Sequence, residues 1–334
     1  MAARSKSADN LLIGVDIGGT KVAAGLVDAR GRVVARVRSR MVTRGSSKEG
    51  LRSVFDAVDA LLRDRRAKTA HAIGISVPGW VDAKRGIVVS ATNIPCWREF
   101  PLAREIARFY GLPTRVGNDG NVAALAEAVW GAGANYRTVF YATLGTGIGA
   151  GIVIDRRVYT GRAGGAGEGG HMTIDFRGPL CGCGKRGCIE AFASGTAIGR
   201  RAQQRLMEDH AEKSRILDQA EGRIEAVTSE VVAKAAARGD KFALEVLNEA
   251  AERLGIWLGN IIELLEPDVI VLGGGIGPLM MSYIDRIQAA LETWSINPRW
   301  REIPIVGAKY GADSAMVGAA ALCLSRTQLL RSPS

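Results

Sequence analysis

Short apolar runs of strand character open the chain. Residues 11–16 (LLIGVD), 22–27 (VAAGLV) and 32–37 (RVVARV) are separated by glycine-containing turns, a pattern that predicts a meander of hairpin strands. The period then lengthens. Leu51, Val54, Phe55, Val58, Leu61 and Leu62 recur at helical spacing over 48–65, and 72–77 (AIGISV) returns to a strand. The first third therefore reads as an α/β lobe. Val116-Gly-Asn-Asp-Gly-Asn121 supplies a polar start to an alanine-rich helix from Val122 to Trp130, and the boundary between two lobes is placed here.

The pattern then repeats. Residues 138–144 (TVFYATL) and 150–154 (AGIVI) flank the loop Gly145-Thr-Gly-Ile-Gly149, echoing the opening hairpin and suggesting two related halves. Residues 161–187 are rich in glycine, which predicts irregular backbone held by something other than a core. Helices are expected through 190–265, with a charged stretch near 207–226 read as an exposed helical hairpin or insertion. A buried strand at 268–272 (DVIVL) ends at Gly273-Gly-Gly-Ile-Gly277. A helix around 281–293, a strand at 303–307 and a small-residue helix, Ala315 to Leu322, complete the pattern, the last expected to pack across both lobes. The predicted division is a small lobe of residues 10–118 plus 318–332 and a large lobe of 119–317.

Composition narrows the class. At 334 residues the chain suits two domains. Its 47% hydrophobic and 23% charged content is that of a globular protein, and no apolar run approaches the roughly 20 residues of a membrane span. Met1 to Asn10 is basic and polar, and the apolar stretch after it breaks at Asp16, so a secretion signal is not expected and the cytoplasm is. The net charge of +10 comes from Arg and Lys scattered along the chain, which reads as a solvated basic surface favouring anionic small molecules and not nucleic acid. Five cysteines, an odd number, argue against a disulfide framework.

Three glycine-rich loops each follow an apolar strand: Asp16-Ile-Gly18-Gly19-Thr20-Lys21, Thr143-Leu-Gly145-Thr146-Gly147 and Gly273-Gly274-Gly275-Ile-Gly277. Glycine lets backbone amides approach phosphate oxygens, and threonine adds hydroxyl donors. Any one loop could be a tight turn and nothing more. Three in this order point to nucleotide phosphates, although they match neither the P-loop nor the Rossmann fingerprint. His171, Cys181, Cys183 and Cys188 are spaced H-x9-C-x-C-x4-C, the ligand set of a closed tetrahedral zinc site that would pin the glycine-rich loop 168–190. The bland alternative is three reduced thiols without a metal. Asp119 stands ahead of a helix, where it could serve equally as a general base or as the helix cap.

Taken together, DIGGTK, TLGTGIGAG, GEGGH followed by CGCGKRGC, and the late GGG loop resemble the ROK family of sugar kinases and repressors, from about Leu11 to Leu322. The resemblance implies a two-lobed actin-like ATPase fold of α/β class, with ATP, Mg2+ and a hexose bound in the cleft between lobes. It implies Asp119 as the base, through the match of Asn118-Asp119-Gly120-Asn121 to the family's Asn-Asp-x-Asn. Gly117 and Gly120 depart from the Glu and Ala that many members carry there. By the same matching, Glu168, Glu190, His171, Asn118, Asn93 and the backbone at Gly79 hold the sugar. Asp16 orders Mg2+, and Lys21 is either part of the phosphate loop or a solvated hairpin residue. A homodimer or a higher homo-oligomer is expected. The Asn93-Ile-Pro-x-Trp97 segment resembles the glucokinase branch and makes glucose the expected substrate, with N-acetylmannosamine, N-acetylglucosamine, fructose and allose as alternatives within the same chemistry. Two other classes, a sugar-responsive DNA-binding repressor and a sugar-binding module without catalysis, are disfavoured: only about ten residues precede the first strand, and Asp16, Asp119 and the loops are all present.

Overall fold

The computed structural model describes residues 11–91, 93–208 and 214–331. The basic N-terminal stretch, Thr92, and His210 with its neighbours in the polar stretch after Met207 lie outside the described residues. Along the chain run β1 Leu11–Ile17, β2 Lys21–Val27, β3 Val33–Arg40, α1 Ser47–Leu62, β4 Ala70–Val77, β5 Trp80–Asp82, β6 Ile87–Ser90, β7 Arg98–Phe100, α2 Leu102–Tyr110, β8 Thr114–Asn118 and α3 Asp119–Trp130. There follow β9 Thr138–Leu144, β10 Ile148–Ile154, β11 Arg157–Val158, α4 Glu190–Ala193, α5 Gly195–Met207, α6 Ile216–Gln219, α7 Ser229–Ala236 and α8 Lys241–Leu265. The last elements are β12 Val269–Gly273, α9 Gly277–Met281, α10 Ile284–Trp294, β13 Ile305–Gly307, α11 Ser314–Ala321 and α12 Arg326–Arg331.

The chain divides into two compact units: residues 1–141, 151–167 and 309–334 form the first, and residues 142–150 and 168–308 the second. The divide thus falls at Tyr141 and not at the expected 118/119. The physical reason is α3, which packs on α11, β8 and β4 of the first unit.

The first unit is built on a sheet ordered β3-β2-β1-β4-β8. The β1–β2 and β2–β3 pairs are the predicted antiparallel meander, whereas β1–β4 and β4–β8 are parallel and joined through helices. Successive strand residues point to opposite faces. Ile13, Val15, Ile73 and Ile75 are buried in one core with Val54, Val58 and Leu61 of α1 and Ile106 of α2. Gly14 and Gly74 take the other face and lie against the backbone of α11 at Met316 and Ala319, so close that a Cβ at either position would collide. The small-residue helix therefore sits directly on the sheet, and its main contacts are with β1, β2, β4 and α3 of the first unit. Three short strands, ordered β5-β6-β7, form a separate sheet.

Strands β9 to β13 form a second five-stranded sheet in the order β11-β10-β9-β12-β13. In the second unit α8, 25 residues long, packs against α10, α7, α5 and α4. Of the stretch near 207–226 expected as an exposed helical hairpin or insertion, the described residues carry α6, which contacts α7; Ile216 and, just after the helix, Ala220 are buried, and the other residues from 214 to 226 are exposed or partly buried.

Candidate active site

In the first unit Asp16, next to last in β1, lies directly beside Ser76 of β4, whose hydroxyl donates to the Asp16 carboxylate at 2.8 Å. Burial pushes the Asp16 carboxyl above its ordinary range, partly opposed by that hydrogen bond. No ion pair to Asp16 occurs among the described residues. Gly18, Gly19 and Thr20 form the β1–β2 turn, closed by the Gly18 amide on the Lys21 carbonyl at 2.8 Å. Thr20 and Lys21 are exposed. Gly19 lies against Asn93, itself exposed on a loop that Ile94 and Trp97 anchor in the core.

Asn118 is the cap of α3 and performs three tasks with one amide. Its Oδ1 accepts the Asn121 amide at 3.1 Å, and its Nδ2 donates to the Gly79 carbonyl and to Asp119 Oδ1, each at 3.0 Å. Asn118 thus caps the helix and Asp119 is its first residue. Asp119 Oδ1 also accepts the Gly120 amide at 2.9 Å, and the residue is exposed. Behind it α3 is buried along its length, a rigid support for an exposed carboxylate at a positive helix end. Gly79 has φ +97°, a conformation open to glycine, and lies against the Ser90 carbonyl of β6.

In the second unit the Gly145-Thr146-Gly147 turn follows β9. Gly145 N–H donates to the Gly147 carbonyl at 2.9 Å, and Gly195 N–H, at the start of α5, donates to the Gly145 carbonyl at 2.7 Å. Thr143 is partly buried and Thr146 exposed. The turn after β12 meets the same place: Gly274 packs on Leu144, and the Ile276 amide donates to the Leu144 carbonyl at 2.9 Å. Gly273 and Gly275 flank it, and Gly275, Gly145 and Thr146 line a cavity of about 740 Å³ together with Thr196, Arg200, Thr228 and Leu279. The sequence reading missed those last four, which carry no signature of their own and are brought together from three helices.

The cysteine cluster is also in the second unit. The ligand atoms of His171, Cys181, Cys183 and Cys188 all lie within 4.8 Å of one another. Backbone pairing holds them: Cys181 N–H donates to the Lys185 carbonyl at 2.8 Å, and Thr173 bridges Cys188. Burial is the largest influence on the three thiols. It pushes Cys181 up to about 12 and Cys188 upward; at Cys183 the Lys185 amide and the neighbouring thiols outweigh it and hold the thiol low. A cluster of three thiols and one imidazole at this spacing suits a closed tetrahedral cation of zinc type and leaves no open position. Glu190, at the start of α4, approaches the cluster at Cys181 and accepts the Ile148 amide at 2.9 Å. Glu168 is exposed three residues before His171, and no hydrogen bond to its carboxylate occurs among the described residues.

The profile of the ROK family matches residues 12–326. A glucokinase of Streptomyces coelicolor is 34% identical over 316 residues, which cover 93% of this chain and 97% of that one. Among solved structures, a ROK family glucokinase from Streptomyces griseus in complex with glucose and AMPPNP superposes with TM-score 0.80 at 35% identity, over 93% of this chain and 98% of that one. A ROK hexokinase from Thermus thermophilus gives 0.77 at 33% identity, over 93% and 97%. The fold is therefore the two-lobed actin-like ATPase fold of α/β class.

Proposed function

Because this chain belongs to the ROK family and matches one of its glucokinases along nearly the whole length of both, we propose that it transfers the terminal phosphoryl group of ATP to the 6-hydroxyl of glucose. The observation that carries the reading at the level of chemistry is Asp119, an exposed carboxylate fixed by Asn118 and by the Gly120 amide at the head of a buried helix. Asp119 accepts the proton of the sugar hydroxyl as its oxygen bonds to phosphorus. The bond from phosphorus to the leaving oxygen breaks, and ADP departs. Asn118, Asn93, Glu168, His171 and Glu190, with the backbone at Gly79, hold the hexose hydroxyls; amides and carboxylates suit that task because each can pair with a vicinal pair of hydroxyls.

Apart from the Gly18 and Gly145 amides, which close their own turns, the glycine turns at 18–20, 145–147 and 273–275 serve the phosphates with their amides, Thr143 supports the second turn, and Lys21 adds a positive charge. The cavity beside Thr146 and Gly275 takes the nucleoside. Mg2+ fits at Asp16, a carboxylate that burial has pushed up and that has no cationic partner among the described residues; when bound, the ion neutralises phosphate charge. Zn2+ fits the Cys3His group and stabilises the 168–190 loop when bound. No helix among the described residues is long and apolar enough to cross a membrane. The enzyme acts in the cytoplasm, where ATP is available and thiols stay reduced, as a homodimer.

The test is a coupled ADP-release assay with ATP, Mg2+ and a panel of glucose, mannose, fructose, allose, N-acetylglucosamine and N-acetylmannosamine. Turnover with glucose well above the rest is expected. Preference for an N-acetylated sugar would move the substrate and keep the mechanism; silence across the panel would overturn the kinase reading.

A further inference from the structure

Glu190 has surroundings that gripping a sugar does not require. Its Oε2 accepts the amide of Ile148, the residue after Gly147, at 2.9 Å. Its Oε1 lies 3.5 Å from Cys181 Sγ and 3.9 Å from His171 Nδ1. One carboxylate thus touches two of the four candidate metal ligands and the end of the phosphate-binding turn. The other end of that turn is held from the same segment, by the Gly195 amide on the Gly145 carbonyl at 2.7 Å, with Ser194 capping α5 beside it. Gly170, next to His171, lies against the Ile148 carbonyl so closely that a Cβ would collide with it. Residues 145–148 are therefore clasped at three points by the stretch that runs from Gly170 through the cysteines to Gly195, all within the second unit.

The sequence Gly145-Thr-Gly-Ile-Gly149 has little conformational preference of its own. Its amides can converge on a phosphate only if something external fixes them, and the clasp is what does so here. From His171 to Cys188 the clasping stretch is glycine-rich and its buried side chains are those of Cys181 and Cys188, so the order of this part depends on the Cys3His group. We infer that the metal centre sets the nucleotide-binding turn, with Glu190 as the positioning residue that couples the two. This rests on the reading of 145–147 as a phosphate turn, and it makes metal occupancy a determinant of nucleotide affinity in the absence of any sugar.

Calorimetric titration of ADP with Mg2+ into the full-length protein, without sugar and with zinc content measured for each sample, separates this from a role in sugar binding alone. At matched zinc content Glu190→Ala should bind ADP about tenfold more weakly, the scale of one lost hydrogen bond to a charged group. Glu190→Gln retains an oxygen that can accept the Ile148 amide, and it should stay within about threefold of the wild type. Stripping zinc from the wild type should weaken ADP binding by a similar factor, and adding zinc should restore it. Unchanged ADP affinity in Glu190→Ala at full zinc content, or in the stripped wild type, overturns the coupling while leaving the kinase reading intact. A zinc-loaded wild type that binds no ADP removes both.

Discussion

Asp119 and Asn118 stand side by side at the head of a helix, where the sequence alone does not say which of them caps it. The hydrogen bonds give the cap to Asn118, through the Asn121 amide, and leave Asp119, the proposed base, at the helix head with Oδ1 engaged. An amide at 119 would keep the shape and the acceptor oxygen but could not take a proton. Asp119→Asn is therefore expected to lower kcat by about 10²- to 10⁴-fold with glucose affinity nearly unchanged, measured by steady-state kinetics and by glucose titration; near-normal turnover would exclude Asp119 as base. The cysteines, the histidine and the three glycine turns were legible for a simple reason. Their chemistry depends on residue type at fixed local spacing, which the sequence displays directly. Thr196, Arg200, Thr228 and Leu279 were not, because they are far apart in the chain and line one cavity only in the folded structure.

Helix ends carry the next set of decisions. Glu127, on the alanine-rich α3, has nothing in its sequence surroundings to distinguish it from a solvated helical glutamate, yet it is 0% exposed. Its carboxylate accepts the amides of Ala132, Lys309 and Tyr310 at 2.9, 3.0 and 3.0 Å, tying the end of α3 to the segment that leads into α11. Glu127→Ala would leave three amide donors unpaired, each costing about 1–3 kcal/mol, so a loss of about 3 kcal/mol or more in urea unfolding is expected; a change under about 0.5 kcal/mol would show that water replaces the carboxylate. At α1 Ser46 and Glu49 form a capping box, and the Ser46 amide and hydroxyl, donating at 2.7 and 2.8 Å, hold the Glu49 carboxyl below its ordinary range. A lowered folded value means stability that is present above the ordinary glutamate range and lost as pH falls through the folded value. Wild type and Glu49→Gln should therefore differ in urea midpoint at neutral pH and converge in acid; a gap independent of pH would contradict this. The strands β5 and β7 escaped the sequence reading because three residues are too few to show a period.

For the molecule as a whole, the candidate metal loop has little core of its own: from His171 to Cys188 the buried side chains are those of Cys181 and Cys188. Cys183→Ala should release zinc, lower the thermal midpoint by about 5 °C, and open 168–190 to protease, as read by metal analysis, calorimetry and limited digestion; full zinc retention would contradict the ligand set. The longer strands and helices, the glycine turns and the metal candidates followed from the sequence by itself, since each is written in residues a few positions apart; the sugar-binding carboxylates followed from the family's motifs. The division into units did not: α3 reads as the start of a second lobe, but glycines at 14, 74 and 318 let α11 approach both the first sheet and α3, and that packing assigns the helix to the first unit. The contact of Glu190 with Ile148 and the burial of Glu127 were likewise decided by tertiary structure alone, because the groups that meet there are 42 and up to 183 residues apart, and sequence periodicity carries no information over such distances.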